Sequence, residues 1–207
     1  MLYPIKLRAL PPFFTFLNRL YYTIQMNVYL YYLALFVELF ILIGVSVYGA
    51  GLLFSAMKGA PYVPTSAKEL GHILGEIKLK KNALFVELGS GDGRLVRYSA
   101  QKYGVQGVGI EVNPLLTLLA RWHAKREKID GRVTFVTKNM FRYDFSKAEY
   151  LYLFLMPQLI VKLLPLFEKQ LHKNTIIISH GFKLPGWEGK LIHTLPAQTF
   201  STFYYRI

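Results

Sequence analysis

The sequence predicts an α/β protein, with a mostly parallel sheet and an antiparallel C-terminal strand, set behind one transmembrane helix. Three observations carry this. From residue 82 onward, short apolar runs alternate with stretches of helical periodicity, the pattern of repeated strand–helix units. The first apolar run, "NALFVEL", ends in the glycine-rich turn "GSGDG" at 89–93 and leads into a helical stretch. From Val28 to Met57 the one acidic or basic side chain is Glu38. The organisation expected is an N-terminal interfacial segment at 1–27, a transmembrane helix at 28–57, a linker and pre-domain helix at 58–81, and the α/β domain at 82–207.

Thirty helical residues extend about 45 Å, against about 30 Å for a hydrocarbon core. Residues 28–57 are therefore long enough to cross once. Tyr29, Tyr31 and Tyr32 suit an interface, and the stretch "PFFTFLNRLYYTIQ" at 12–25 is expected to lie in it as a separate amphipathic helix. The run is too long, and starts too late, for a signal peptide. Lys6, Arg8 and Arg19 precede the span and Lys58 and Lys68 follow it, so the positive-inside rule does not select an orientation.

Composition narrows the chemistry. There is no cysteine, which excludes disulfides and thiolate metal sites. The five histidines show no HxH or HxxxH spacing, and no metal site is expected. Hydrophobic residues make up 53% of the chain and the mean hydropathy is +0.27, high for a wholly soluble protein. The formal charge is +13, and residues 58–207 hold 22 basic and 11 acidic side chains. Such a surface favours anionic partners, with an anionic lipid surface the expected one.

The α/β elements follow in order. "SAKELGHILGEI" opens with a possible capping box from Ser66 to Glu69 and repeats apolar residues at helical spacing. "NALFVEL" is the first strand, "GRLVRYSAQKYG" a helix and "VQGVGIEV" the second strand. "NPLLTLLARWHAKREKIDG" is a helix with Asn113 as cap, Pro114 in its first turn and Gly131 as its expected terminator. "RVTFVT" and "EYLYLFL" are the third and fourth strands. "PQLIVKLLPLFEKQL" is a helix containing Pro165, "NTIIISH" is the fifth strand, and the last 18 residues read as two strands joined by a turn.

The glycine turn decides the ligand. A dinucleotide fingerprint, G-x-G-x-x-G, aims a helix N-terminus at a pyrophosphate. Here Gly89, Gly91 and Gly93 follow an acidic Glu87, and Arg94 stands where the third glycine of that fingerprint belongs. S-adenosylmethionine has no phosphate but carries an ammonium, which a carboxylate at a strand end suits. Glu111, 22 residues after Gly89, is placed to accept hydrogen bonds from both ribose hydroxyls. Asn139 is placed for the adenine edge and Met140 or Phe141 for its ring.

These motifs, together with "GAPYVPTS", "GIEVNP", "FLMPQ" and "SHGFKLPGW", resemble the membrane-anchored, seven-strand S-adenosylmethionine-dependent protein-lysine methyltransferases. Mitochondrial members of that family modify the ATP synthase c subunit and the adenine nucleotide translocase. The likeness covers roughly residues 28–207. It extends more distantly to the seven-strand histone lysine methyltransferases. It implies a Rossmann-like class I methyltransferase sheet of seven strands and a lysine acceptor on a membrane or membrane-associated protein. It implies cofactor contacts at Glu87, Gly89, Gly91, Asp92, Glu111 and Asn139, with Tyr62, Pro64 and Thr65 bordering the cofactor or substrate entrance; the full expected cofactor set adds Thr65, Ser90, Gly93, Asn113 and Met140. Asn139 departs from the Asp found in many methyltransferases. "FLMPQ" lacks the Asn/Asp-Pro-Pro form of enzymes acting on amides and bases, so a nucleic-acid substrate is not expected.

An acceptor lysine, with an ordinary pKa of about 10.4, must lose a proton before attack, and an apolar slot promotes this by desolvation. Tyr62, Phe154, Met156 and Phe182 are the expected walls of that slot, and Pro157 and Gln158 stand nearest the reacting methyl. Tyr62, Met156, Pro157 and Gln158 thus form the expected catalytic set. In a bacterium the domain would face the cytoplasm from the inner membrane; in a eukaryote the resemblance implies the mitochondrial inner membrane. Two alternatives stay open: a methyltransferase of a lipid or lipophilic small molecule, and a non-catalytic cofactor-binding assembly protein.

Overall fold

The computed structural model describes residues 12–57 and 67–207. Two compact units emerge, Met1–Gly49 and Ala50–Ile207. Helix α1 (Pro12–Met57) is continuous across residue 27. The segment at 12–25 forms its first turns, with no break into a separate interfacial helix. The reason is local: no glycine or proline occurs between Phe13 and Ile43, so nothing ends the helix. Residues Phe13–Gly51 are long and apolar enough to cross a membrane by length and composition.

The second unit holds one seven-stranded sheet. Its strands are β1 (Leu84–Leu88), β2 (Gln106–Glu111), β3 (Val133–Thr137), β4 (Tyr150–Leu153), β5 (Ile176–His180), β6 (Leu191–Leu195) and β7 (Thr202–Arg206). The order is β3-β2-β1-β4-β5-β7-β6, with β1 to β5 parallel and β7 antiparallel to both neighbours. Strand alternation divides the core between the two faces. On one face, Val86, Leu88, Leu151 and Leu153 pack with Ile160, Leu163 and Phe167 of α5 (Pro157–Gln170). On the other, Phe85, Tyr150, Tyr152, Ile178 and Tyr204 pack with Leu70, Ile73 and Leu74 of α2 (Ala67–Gly75) and Leu95 of α3 (Arg94–Tyr103). Those three α2 side chains are fully buried, worth roughly 2 kcal/mol each, so α2 is part of the folded unit.

Helix α4 (Pro114–Arg126) ends earlier than its sequence predicts. The expected terminator, Gly131, is bypassed because Lys128 takes a left-handed φ of 58°. Ile129 N–H then donates to Ala124 O at 3.0 Å and Lys128 N–H to Lys125 O at 3.1 Å. This is the Schellman closure, with lysine where glycine is usual. Lys128→Gly is therefore expected to stabilise the protein by about 0.5–1 kcal/mol, seen as a midpoint rise of roughly 1–4 °C in thermal unfolding. An unchanged or lower midpoint would show that lysine carries no strain there.

Candidate active site

Among parallel strands, a ligand crevice opens at the carboxyl edge where strand order reverses. Here that point is the end of β1, between β2 and β4. The loop 89–93 crosses it with left-handed backbone at Gly89, Gly91 and Gly93 (φ 71°, 54° and 73°). Gly89 N–H (2.8 Å) and Ser90 N–H (3.1 Å) both donate to Ile110 O of β2, and Gly93 N–H donates to Ser90 O at 2.8 Å, which fixes the loop. Gly93 is the N-cap of α3, and Asp92 before it closes a local turn, its Oδ1 accepting Arg94 N–H at 3.2 Å.

Two buried polar atoms are left over here, and of these Glu87 Oε2 calls for a ligand; Ser90 Oγ sits against Gly109 of β2, 2.6 Å from where a Cβ there would stand. Glu87 Oε2 and Ser90 Oγ lack a hydrogen-bond partner among the described residues. Such orphans are costly in a finished fold and call for an explanation. Burial pushes the Glu87 carboxyl well above its ordinary range, Asp92 and Glu111 push the same way, and the N–H of Val96 in the first turn of α3 pulls against them. A carboxylate at this position would gain from a cation laid beside it. The ammonium of S-adenosylmethionine fits that demand.

Glu111 is held more tightly than expected. Its Oε2 accepts Gly91 N–H at 3.0 Å and its Oε1 accepts Asn113 N–H at 2.8 Å. The carboxylate thus ties the glycine loop to the start of α4, and each oxygen retains one lone pair for a ribose hydroxyl. Asn113 caps α4, its Oδ1 accepting Leu115 N–H at 3.0 Å. Asn139 stands beyond β3 and spends its Oδ1 on Phe141 N–H at 3.1 Å, which leaves its amide N–H₂ facing outward from an exposed side chain. Met140 and Phe141 pack against the α5-side core.

Beyond β4, Met156 is the N-cap of α5 and Pro157 opens the helix, both exposed with Gln158. A Cβ at Gly89 would stand 3.5 Å from Leu155 Cδ2, so this loop abuts the glycine loop. The structure thus brings Glu87, the 89–93 loop, Glu111, Asn113, Asn139, Met140 and Met156–Gln158 to one edge. Tyr62 and Thr65 lie outside the described residues, as do Pro64 and Ser66. The expected aromatic slot is divided: Phe154 packs on the α2-side core and Phe182 on the α5-side core, so these two rings line opposite faces of the sheet.

Phe154 instead meets His180, ring centroids 4.6 Å apart, and Phe200, at 5.1 Å. His180 and Phe200 line a cavity of about 290 Å³ with Glu69, His72, Ile73, Leu195 and Thr202. His180 Nδ1 lies 2.8 Å from Thr202 Oγ1 and its Nε2 lies 3.8 Å from Glu69 Oε1. Burial pushes the His180 imidazole below its ordinary pKa, with Glu69 offsetting part of the effect. Sequence alone does not mark His180 and Glu69 as lining a cavity; the one local signal is a histidine in phase with buried Ile178 at a strand end.

Comparison with known proteins agrees with this geometry. The family model for the ANTKMT methyltransferase domain matches residues 87–190, about half of the chain. The chain belongs to the ANTKMT methyltransferase-domain family. A protein-lysine N-methyltransferase of Saccharolobus islandicus is 33% identical over 131 residues, 63% of this chain and 81% of that protein. The human lysine N-methyltransferase of the ATP synthase c subunit is 32% identical over 148 residues, 69% of this chain and 63% of the human protein. The mouse adenine nucleotide translocase lysine N-methyltransferase is 31% identical, across 62% of this chain and 56% of its own length. The chain thus spans less than two thirds of these two animal relatives. Among solved structures, an RNA methyltransferase of Salinibacter ruber in complex with S-adenosyl-L-homocysteine superposes with a TM-score of 0.67 and 32% identity. It aligns with 70% of this chain and 94% of that one. The sheet described above is accordingly the class I methyltransferase sheet expected of this family, antiparallel C-terminal strands included.

Proposed function

We propose that this chain is an S-adenosylmethionine-dependent methyltransferase acting on a lysine of a membrane or membrane-associated protein. The observation that carries the cofactor is the orphaned, buried Glu87 Oε2 beside three left-handed glycines. Protein-lysine acceptors are named for the Saccharolobus, human and mouse relatives, the first of which this chain covers over 81% of its length. The long apolar helix α1 supports a single membrane crossing, and with it an acceptor at or in the same bilayer.

When bound, the cofactor supplies a sulfonium-linked methyl group: the acceptor nitrogen's lone pair forms the C–N bond while the C–S pair returns to sulfur. The residues of this chain prepare that encounter. Glu87 holds the ammonium of the cofactor, and the 89–93 loop lets the backbone approach it closely. Glu111, already oriented by two backbone N–H groups, receives the ribose, and Asn139 with Met140 borders the adenine. Met156, Pro157 and Gln158 form the rim at the end of β4. The cavity beside β5 desolvates the acceptor side chain, and Glu69 at its mouth attracts the protonated lysine. His180 lines the same cavity with its Nε2 3.8 Å from Glu69 Oε1, and is placed to receive the ammonium proton once desolvation has lowered the lysine's pKa.

The experiment is to incubate the purified full chain with radiolabelled S-adenosylmethionine and membrane fractions, then extract with organic solvent. Label is expected on protein, in lysine after hydrolysis. Label confined to the solvent phase would replace this reading by the lipid or quinone one, and label on RNA by the activity named for the Salinibacter neighbour. Cofactor binding by calorimetry with no label anywhere would favour an assembly role.

A further inference from the structure

Helix α4 has two apolar faces, and only one is used by the core. Leu116, Thr117, Ala120 and Ala124 are buried against α3 and the sheet. On the opposite side Leu118, Leu119 and Trp122 recur at three- and four-residue spacing, which aligns them along one stripe; Leu115, at its N-terminal end, packs beside Gly51. Leu118 is 64% exposed and Trp122 53%. Among the described residues of the second unit, the other exposed large apolar side chains are Met156, Val161 and Ile192, scattered over separate elements. Single exposed apolar residues are ordinary, whereas a contiguous stripe of this kind marks an interaction surface.

The surroundings of the stripe name the partner. Lys125 and Arg126 close its C-terminal end, and the Arg126 guanidinium lies 5.3 Å from the Trp122 ring centroid. The neighbouring acid, Glu127, is paired with α3: its Oε1 is 2.8 Å from Arg97 Nη1 and its Oε2 accepts from Gln101 at 2.9 Å. Leucines and a tryptophan below a rim of cations form the composition of a helix lying in a lipid interface. Residues 58–207 have an excess of 11 positive charges, which matches an anionic bilayer.

We propose that the outer face of α4 seats on the anionic headgroup layer of the membrane, with Leu118 and Trp122 inserted. This rests on α1 as a membrane span, because a tethered domain meets the bilayer at high effective concentration and needs only a weak second contact. The seating restricts how the domain sits at the surface, so the crevice at the β1–β4 edge is presented at one height above the bilayer.

The full chain, reconstituted in nanodiscs of equal phosphatidylglycerol and phosphatidylcholine, tests this through Trp122. Emission is compared with that of Trp122→Phe, which subtracts the buried Trp187. Lipids brominated near the headgroup are expected to quench the Trp122 component, and phosphatidylcholine alone or raised salt to reduce the quenching. Leu118→Ser with Leu119→Ser should abolish it while methylation of a soluble peptide persists. A chain that fails to enter nanodiscs overturns both the anchor and this proposal. A chain that enters them with Trp122 unquenched, or that pairs with a second copy through this stripe, overturns this proposal alone.

Discussion

Glu87→Gln is expected to weaken S-adenosylmethionine binding by about 30-fold or more, the loss of roughly 2–5 kcal/mol that follows when one partner of a buried charge pair is removed. The same substitution should not destabilise the cofactor-free protein at neutral pH, and its pH dependence shows why. Burial raises the folded-state pKa of Glu87 well above the unfolded value. In the window between the two values the folded chain holds a proton that the unfolded chain has released. That stabilisation is fully present below the ordinary carboxylate range and is lost as pH rises through the raised value. Urea unfolding across this window should show the wild type losing stability with rising pH, and Gln at 87 should remove that slope. An incoming ammonium favours the carboxylate, so binding at a pH below the raised value must expel the proton. Calorimetry in two buffers of different ionisation heat reads that proton directly. A Gln variant with wild-type affinity, or binding heats independent of buffer, would remove Glu87 from the ammonium site.

The parts of this fold legible in the sequence are those written by neighbours in the chain. "VELGSGDGRLV" announces a strand, a left-handed turn and a helix because glycine spacing and apolar runs act locally. Glu111 is legible as an acidic residue ending the second strand, but its grip on Gly91 and Asn113 N–H joins two separate loops, which no local pattern encodes. The Phe154–Phe182 slot fails for a related reason. Were β5 to continue, Phe182 would stay in phase with Ile178 and His180 on the α2 side. The chain instead turns at Gly181 (φ 88°), with Ser179 Oγ donating to Phe182 O at 2.6 Å, and the ring goes to the other face. The cavity around His180 was hidden because it needs α2 laid against β5 and β7, over a hundred residues apart. The Lys128 cap shows the converse: a residue with poor local preference is held left-handed by two hydrogen bonds and the packing of Ile129 against Ala124.

Gly93→Ala is expected to have the largest effect on folding of any single methyl group added in the glycine loop. Arg94 occupies the third-glycine position of a dinucleotide fingerprint, yet the close helix–strand approach that such a glycine allows is supplied here by Gly93. A Cβ on Gly93 would collide with the Phe135 ring of β3 and come within 2.9 Å of Ala120 Cβ on α4. Both neighbours are buried and cannot retreat into solvent. Added to this is the left-handed φ of 73°, worth about 1–2 kcal/mol for a residue with a side chain. Overpacking contributes about 1–3 kcal/mol more, giving a total near 3 kcal/mol and a midpoint lowered by roughly 6–12 °C. Two comparisons separate the causes. Gly186 has a similar φ of 77° and open space where its Cβ would stand, so Gly186→Ala should lose only the backbone share. Phe135→Leu makes room next to Gly93, so in a double-mutant cycle it should recover part of the packing share and none of the backbone share. If Gly93→Ala were no worse than Gly186→Ala, the α3–β3–α4 contact would not be what holds the loop in place. The glycine would then be required only for its turn. If the full loss appears, the helix that follows the cofactor loop is positioned by packing on β3 and α4. The site geometry would then depend on a contact with no polar atoms in it.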